Sequence, residues 1–284
     1  MVEVMVAMAL GAMVVLGVIQ VFTANRQTFR MQDAMAMTQE SGTFAIDYIA
    51  RDLQRSGFGG AASSENDDYG FEWANTVDGG PGGNDRLAIV YDPTITNQRY
   101  CTGEDTGAAT IISNRYWVND DGELLCQGAV FNGAAFVPAG QAQVIVDNVE
   151  SFQVLFGVDT HHIDVADTNG DGIPDQDCPL GVGEPTVYVP ATLVPNVIAR
   201  GKLDCPTAST TAGAQNASTI VRTVRIALLL STENDSGAVV DPERVYSVLD
   251  EEIGAPLIEP GDGRLRRLFT KTVVMRNAEE VARL

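Results

Sequence analysis

The chain has 284 residues, 45% of them hydrophobic and 20% charged, and its 18 Lys and Arg against 38 Asp and Glu give a net charge of −20. That balance excludes a surface built to read nucleic acid and disfavours anionic lipid; its charged partners should be cations or basic protein surfaces. The length allows a membrane segment with one domain behind it, or two lobes.

The N-terminal segment is the first predicted element. Val4 to Asn25 contains no charged side chain and no proline, and Glu3 stands immediately before it. About 20 apolar residues at roughly 1.5 Å rise match the hydrocarbon thickness of a bilayer. The first cation beyond is Arg26, followed one turn later by Arg30. An ionisable group at the end of such a segment is costly and therefore points to function. A cleaved signal peptide fits poorly, because such peptides begin with positive charge and this chain begins with Glu3 and no Lys or Arg.

From Gln27 to Ser56 proline is absent, and Met31, Met35, Ala45, Tyr48, Ile49 and Leu53 form a drifting helical stripe with an interruption near Thr38 to Gly42. One helix is predicted from about Val2 to about Ser56, ending at Gly57-Phe58-Gly59-Gly60, where glycine can take the left-handed cap. This divides the chain into a helix over 1–56 and a head over 57–284. A helix of that length spans about 80 Å, so its second half needs a partner other than a bilayer.

The start Met1-Val2-Glu3-Val4-Met5-Val6-Ala7-Met8-Ala9-Leu10-Gly11 resembles the N-terminal signature of type IV pilins and of the pseudopilins of type II secretion. Arg26 to Arg30, Ile49 to Gly57, Val149 to Asp159 and Arg264 to Asn277 are similar to the PilW group of minor pilins. In that family a short basic leader ending in Gly, then usually Phe and Thr or Ser, precede the residues matched by Met1, Val2 and Glu3. The resemblance thus implies that the reading frame upstream of Met1 encodes a leader and two more mature residues. It also implies that Glu3 neutralises a neighbouring subunit's N-terminal amine inside an apolar filament core.

The head is predicted to be strand-rich and mainly antiparallel, which makes the fold class α+β. A glycine-rich surface loop over 57–85 comes first, packed near the helix. Strands follow at 86–91, 114–118, 123–127, 130–137, 144–158, 223–230, 245–249 and 265–275. Asn119-Asp120-Asp121-Gly122 is a hairpin turn, and Asn132-Gly133 is a second turn signal inside 130–137. Residues 206–219 read as a polar linker, in which the sequon Asn216-Ala217-Ser218 is a chance match.

Cys101, Cys126, Cys178 and Cys205 all lie in the head, and none forms a C-x-x-C pair. An even number in an exported head reads as two disulfides in an oxidising periplasm or cell exterior. Sequence neighbours suggest Cys101–Cys126 and Cys178–Cys205, one of three connectivities.

Asp167-Thr168-Asn169-Gly170-Asp171-Gly172-Ile173-Pro174-Asp175-Gln176-Asp177 matches the first nine positions of an EF-hand-type loop. Calcium would be held by Asp167, Asn169, Asp171, the Ile173 carbonyl and Asp175, with Asp177 or a distant carboxylate replacing the twelfth-position Glu, which here is Cys178. The competing reading is an acidic, solvated turn.

Other candidates carry less. His161 and His162 are adjacent and lack ligands at metal spacing. Gly79-Gly80-Pro81-Gly82-Gly83 lacks the Lys-Ser/Thr of a phosphate loop, and Asp120-Asp121 and Glu251-Glu252 read as solvated acids. Met31, Met35 and Met37 suit subunit packing.

The expectation is therefore a non-enzymatic assembly protein: a minor pilin that helps initiate, cap or enter a type IV pilus. Its helix would be held in the inner membrane with the head in the periplasm, and would then join a surface pilus, at its tip. Partners would be other minor pilins, the major pilin through the helix, and a large tip adhesin, with no nucleic acid. The alternatives are a minor tip pseudopilin of type II secretion and a membrane-anchored calcium-dependent adhesin module.

Overall fold

The computed structural model describes residues 2–57, 70–93, 99–109, 111–159, 187–194, 220–233, 244–254 and 262–275. Helix α1 (Val2–Leu53) is continuous, as expected, but its buried stripe is not interrupted at Thr38 to Gly42. Thr38 and Gly42 are buried instead, followed by Ala45, Ile46, Ile49 and Leu53. Spacings of three and four put these on one stripe. Gly42 belongs to that stripe because a β-carbon there would run into the ring of Phe269. After Leu53 the chain turns, with Ser56 N–H donating to the Leu53 carbonyl at 3.1 Å, and Gly57 takes the positive φ of 71° expected of it.

Among the described residues ten strands follow: β1 (Arg86–Tyr91), β2 (Ile112–Val118), β3 (Leu124–Phe131), β4 (Phe136–Val146), β5 (Val149–Asp159), β6 (Val187–Val189), β7 (Ile220–Ser231), β8 (Tyr246–Val248), β9 (Glu251–Ile253) and β10 (Arg266–Val274). Two antiparallel four-stranded sheets, ordered β1-β2-β3-β4 and β10-β7-β5-β6, are joined by a small β8-β9 pair. The fold is α+β, a long apolar-ended helix followed by antiparallel sheets.

Two predicted runs divide, the first at the turn signal read within it and the second where no turn was expected. The run 130–137 is the β3–β4 hairpin turning at Asn132-Gly133, where the Asn132 side-chain oxygen accepts from Ala134 N–H and Ala135 N–H at 3.0 and 2.9 Å. The run 144–158 breaks between β4 and β5, where Asn148 has φ 57°. The turn at Asn119–Gly122 forms as expected: Asn119 Oδ1 accepts from Glu123 N–H at 2.8 Å, and Gly122 has φ 73°. The short strands β6 and β9 had no sequence signal beyond two or three alternating residues.

The core lies between the second half of α1 and both sheets. Ala45, Ile49 and Leu53 pack with Leu87 and Ile89 of β1, Phe152 and Phe156 of β5, and Ile226 and Leu228 of β7. Along β7, Val224, Ile226 and Leu228 enter this core while Ala227 and Leu229 join Val248 and Ile253 on the opposite face. Burial on both faces explains the unbroken apolar run of that strand. The core thus crosses the boundary drawn at residue 56, and residues 38–53 belong structurally to the head. The glycine-rich segment does more than cover the surface: Phe71 is fully buried and bridges to Ile89, and Val77 bridges to Arg86.

Within that segment Asp85 accepts from Gly79 N–H at 2.9 Å and from Val154 N–H at 2.7 Å. Burial pushes its carboxyl up to about 7, those two N–H groups oppose the rise, and Asp78 and Asp250 add to it. The folded chain then holds a proton that the unfolded chain releases near pH 4. This contribution to stability is complete below about pH 4 and is lost as pH rises through about 7, on the order of 4 kcal/mol for a shift of this size. Melting of the purified protein should therefore fall between pH 4 and 7, and Asp85→Asn should flatten that fall. A variant whose pH profile parallels the parent's would contradict the assignment.

Candidate assembly interface

The first half of α1 is exposed along its whole length. Its most apolar 18-residue window is 0% buried, and among the described residues α1 is the one helix long and apolar enough to cross a membrane. Val4, Leu10, Val14, Leu16, Ile19 and Phe22 are between 52% and 67% exposed. A continuous apolar cylinder of that size is stable only in lipid or against other apolar helices. Gly11 and Gly17 have open space around them, so another backbone can approach closely there. Thr23 and Thr28 return their hydroxyl protons to Ile19 and Ala24 carbonyls at 3.0 Å each, which hides their polarity from an apolar neighbour. Arg26 closes the segment, its guanidinium 5.3 Å from the centre of the Phe22 ring.

Glu3 sits in the first helical turn and is exposed. That turn places the carboxylate at the N-terminal end of the helix dipole, and at the outer end of the apolar cylinder. A cationic group brought there by another chain would meet an unshielded acid.

The second half of α1 is locked to the head by apolar packing and by polar cross-links. Asp47 accepts from Lys271 at 2.5 Å and Gln39 from Arg267 at 3.1 Å, tying the helix to β10. At the helix end the Asp52 carboxylate, only 5% exposed, accepts from Asn114 Nδ2 at 2.9 Å and from the Tyr116 hydroxyl at 2.7 Å. Asn114 also donates to the Tyr91 hydroxyl at 2.8 Å and accepts from Cys101 N–H at 3.1 Å, while the Tyr48 hydroxyl donates to the Cys101 carbonyl. Burial pushes the Asp52 carboxyl above its ordinary range, against the bonds from Asn114 and Tyr116 and the nearby Arg55. This joint was missed in the sequence, where the only signal was an acid inside the apolar stripe between Ile49 and Leu53.

Cys101 and Cys126 form a disulfide, as the sequence suggested, pinning the loop before β2 to strand β3. Cys178, Cys205, His161, His162 and the whole candidate calcium loop (Asp167, Asn169, Asp171, Ile173, Asp175, Asp177) lie outside the described residues. Among the described residues no cluster of His, Cys, Asp or Glu is arranged to hold a metal ion.

Residues 115–277 match the family model described as PilW, type IV pilus-assembly protein W. The chain belongs to this family. The match covers β2 to β10 and none of α1, so it is independent of the N-terminal signature. No curated protein matches the chain significantly. Among solved structures, the chain is similar to the type IV-like pilin TTHA1219 from Thermus thermophilus, at 16% identity and a TM-score of 0.38, over 88% of this chain and 98% of that one. PilW membership gives the chain a structural role in type IV pilus assembly, and its exposed apolar helix fits membrane anchoring.

Proposed function

We propose that this PilW-family protein is a minor pilin whose helix is stored in the inner membrane with the head in the periplasm, and then enters a pilus at or near its tip. The observation that carries this reading is the division of α1: residues 38–53 are built into the head, while the apolar residues from Val2 to Phe22 are exposed. A head that needs only the second half of the helix leaves the first half available for other chains. The partners are other minor pilins and the major pilin through that half, with a large tip adhesin beyond them.

Glu3 acts in register. In an apolar core an unpaired carboxylate is costly, so the stagger that brings a neighbour's N-terminal amine to Glu3 is favoured over others. In a strain lacking the gene, Glu3→Ala should fail to restore surface pili although the protein melts at the parent temperature. Full piliation by the variant would remove this role.

The loop from Asp167 to Asp177 is proposed as a calcium site of the head. Calcium should raise the melting temperature of the purified protein by mass action, and Asp171→Ala should abolish the rise. Calorimetry showing no heat at millimolar calcium would return the loop to a solvated turn.

A further inference from the structure

The joint at the end of α1 opens into a pocket of about 310 Å³ whose walls include Tyr48, Arg51, Arg55, Arg99 and Tyr100, with Asp52 beneath. Tyr48, Arg51, Asp52 and Arg55 are three and four residues apart and share one face of the helix end. Arg99 and Tyr100 come from a separate segment, held there by the Tyr48 and Asn114 bonds to Cys101 and by the disulfide.

Among the described residues, the charges in this pocket do not balance locally. Arg115 holds Glu72, Arg266 holds Glu150 and Asp262, and Lys271 holds Asp47. At the pocket, among the described residues, Arg51 and Arg99 hold no carboxylate, and Arg55 approaches only Asp52, at 3.9 Å. Asp52 is sunk below the mouth with one oxygen already shared by Asn114 and Tyr116. Three arginines therefore line a pocket whose one acid is recessed, on a chain of net charge −20. Attraction of Arg51 to the negative end of the helix accounts for one of them, since it lies in the last turn. Arg99 comes from outside the helix, where its guanidinium donates to the Gly103 carbonyl at 3.0 Å and has no carboxylate partner among the described residues.

We propose that this pocket receives acidic side chains from the head of a neighbouring pilus subunit, an inference that rests on the assembly role above. Guanidinium forks pair with carboxylates in two-bond geometry, and the tyrosine walls keep water from part of the mouth. Lipid headgroups are out of reach: 26 residues of helix separate Phe22 from Tyr48, about 39 Å along the axis. Complementary charge of this kind sets encounter rate and orientation, and its effect fades with salt. The acidic composition that steers the rest of the head toward basic surfaces is locally reversed here.

The test uses the full chain in detergent micelles, with fluorescent hexaglutamate as the probe and hexaglutamine as the neutral control, read by anisotropy. Hexaglutamate should bind in preference to hexaglutamine. Arg51→Glu and Arg99→Glu should each weaken binding by about tenfold or more, and Arg51→Lys, which keeps the charge and loses the fork, should weaken it less. Arg51 is exposed on the helix, so Arg51→Lys should melt with the parent and Arg51→Glu only slightly below it, since an acid there opposes the negative end of the helix. Equal affinity for both peptides, or no effect of the arginine changes, would overturn the proposal. So would competition by inorganic phosphate as strong as by hexaglutamate, which marks a small-anion site, or preferential capture by phosphatidylglycerol vesicles, which marks a membrane surface. In cells, Arg51→Glu should lower incorporation into pili. If Glu3→Ala blocks incorporation and both arginine reversals leave it at the parent level, the pocket is not an interface and the assembly role stands. If Glu3→Ala is also without effect, the assembly reading fails with it.

Discussion

Ile49→Ala should cost the protein about 3 kcal/mol, while Leu10→Ala, a comparable deletion in the same helix, should leave its melting unchanged. Ile49 is fully buried among Leu87, Phe156 and Ile226, so its lost methyl groups leave a cavity that close packing fills only in part. Leu10 is 59% exposed and has no packing within the chain to lose. Urea titration of both variants in detergent checks the difference. The account also requires the reverse order in cells, where Leu10→Ala should reduce pilus incorporation at normal protein levels. Equal loss of stability in both variants would mean that the first half of α1 packs on the head after all.

Removing the Cys101–Cys126 bond should have an effect of similar size. It closes a sequence separation of 25 residues, and chain-entropy reasoning values a loop of that length at about 3 kcal/mol. The double variant Cys101→Ala/Cys126→Ala isolates this bond from the other cysteines, which reductant would not. Its midpoint in urea should fall accordingly. The loss should be larger when combined with Tyr48→Phe than the two changes predict singly, because the disulfide and the Tyr48 hydroxyl hold the same loop. Strict additivity would show that the two act independently.

The helix was legible because it repeats one signal: apolar residues without proline to Asn25, then apolar residues at helical spacing. Its stripe was misread at Thr38 to Gly42, which looks polar, yet Gly42 is buried because its missing side chain lets Phe269 of β10 come close, and Thr38 is buried with its hydroxyl returned to the Ala34 carbonyl. Strands with turn chemistry at both ends were read nearly to the residue, β1 and β10 above all. The run from 144 to 158 was not divided because Asp147-Asn148 is a turn only through the positive φ of Asn148. Of the proposed assembly surface, Glu3 and the exposed apolar half could be read directly. The Asp52 joint and the arginine pocket could not, since they unite residues from 48 to 116 that meet only when β1 and β2 fold over the helix end.

The central claim is that residues 2–22 of α1 exist to be buried among other chains of a pilus. The direct measurement is immunodetection of the protein in pili sheared from cells and freed of membrane. The account predicts that the protein is present in that fraction, at low copy relative to the main subunit, and absent from it in the Glu3→Ala strain. Normal pili that contain none of the protein, with all of it left in the membrane fraction, would contradict the account.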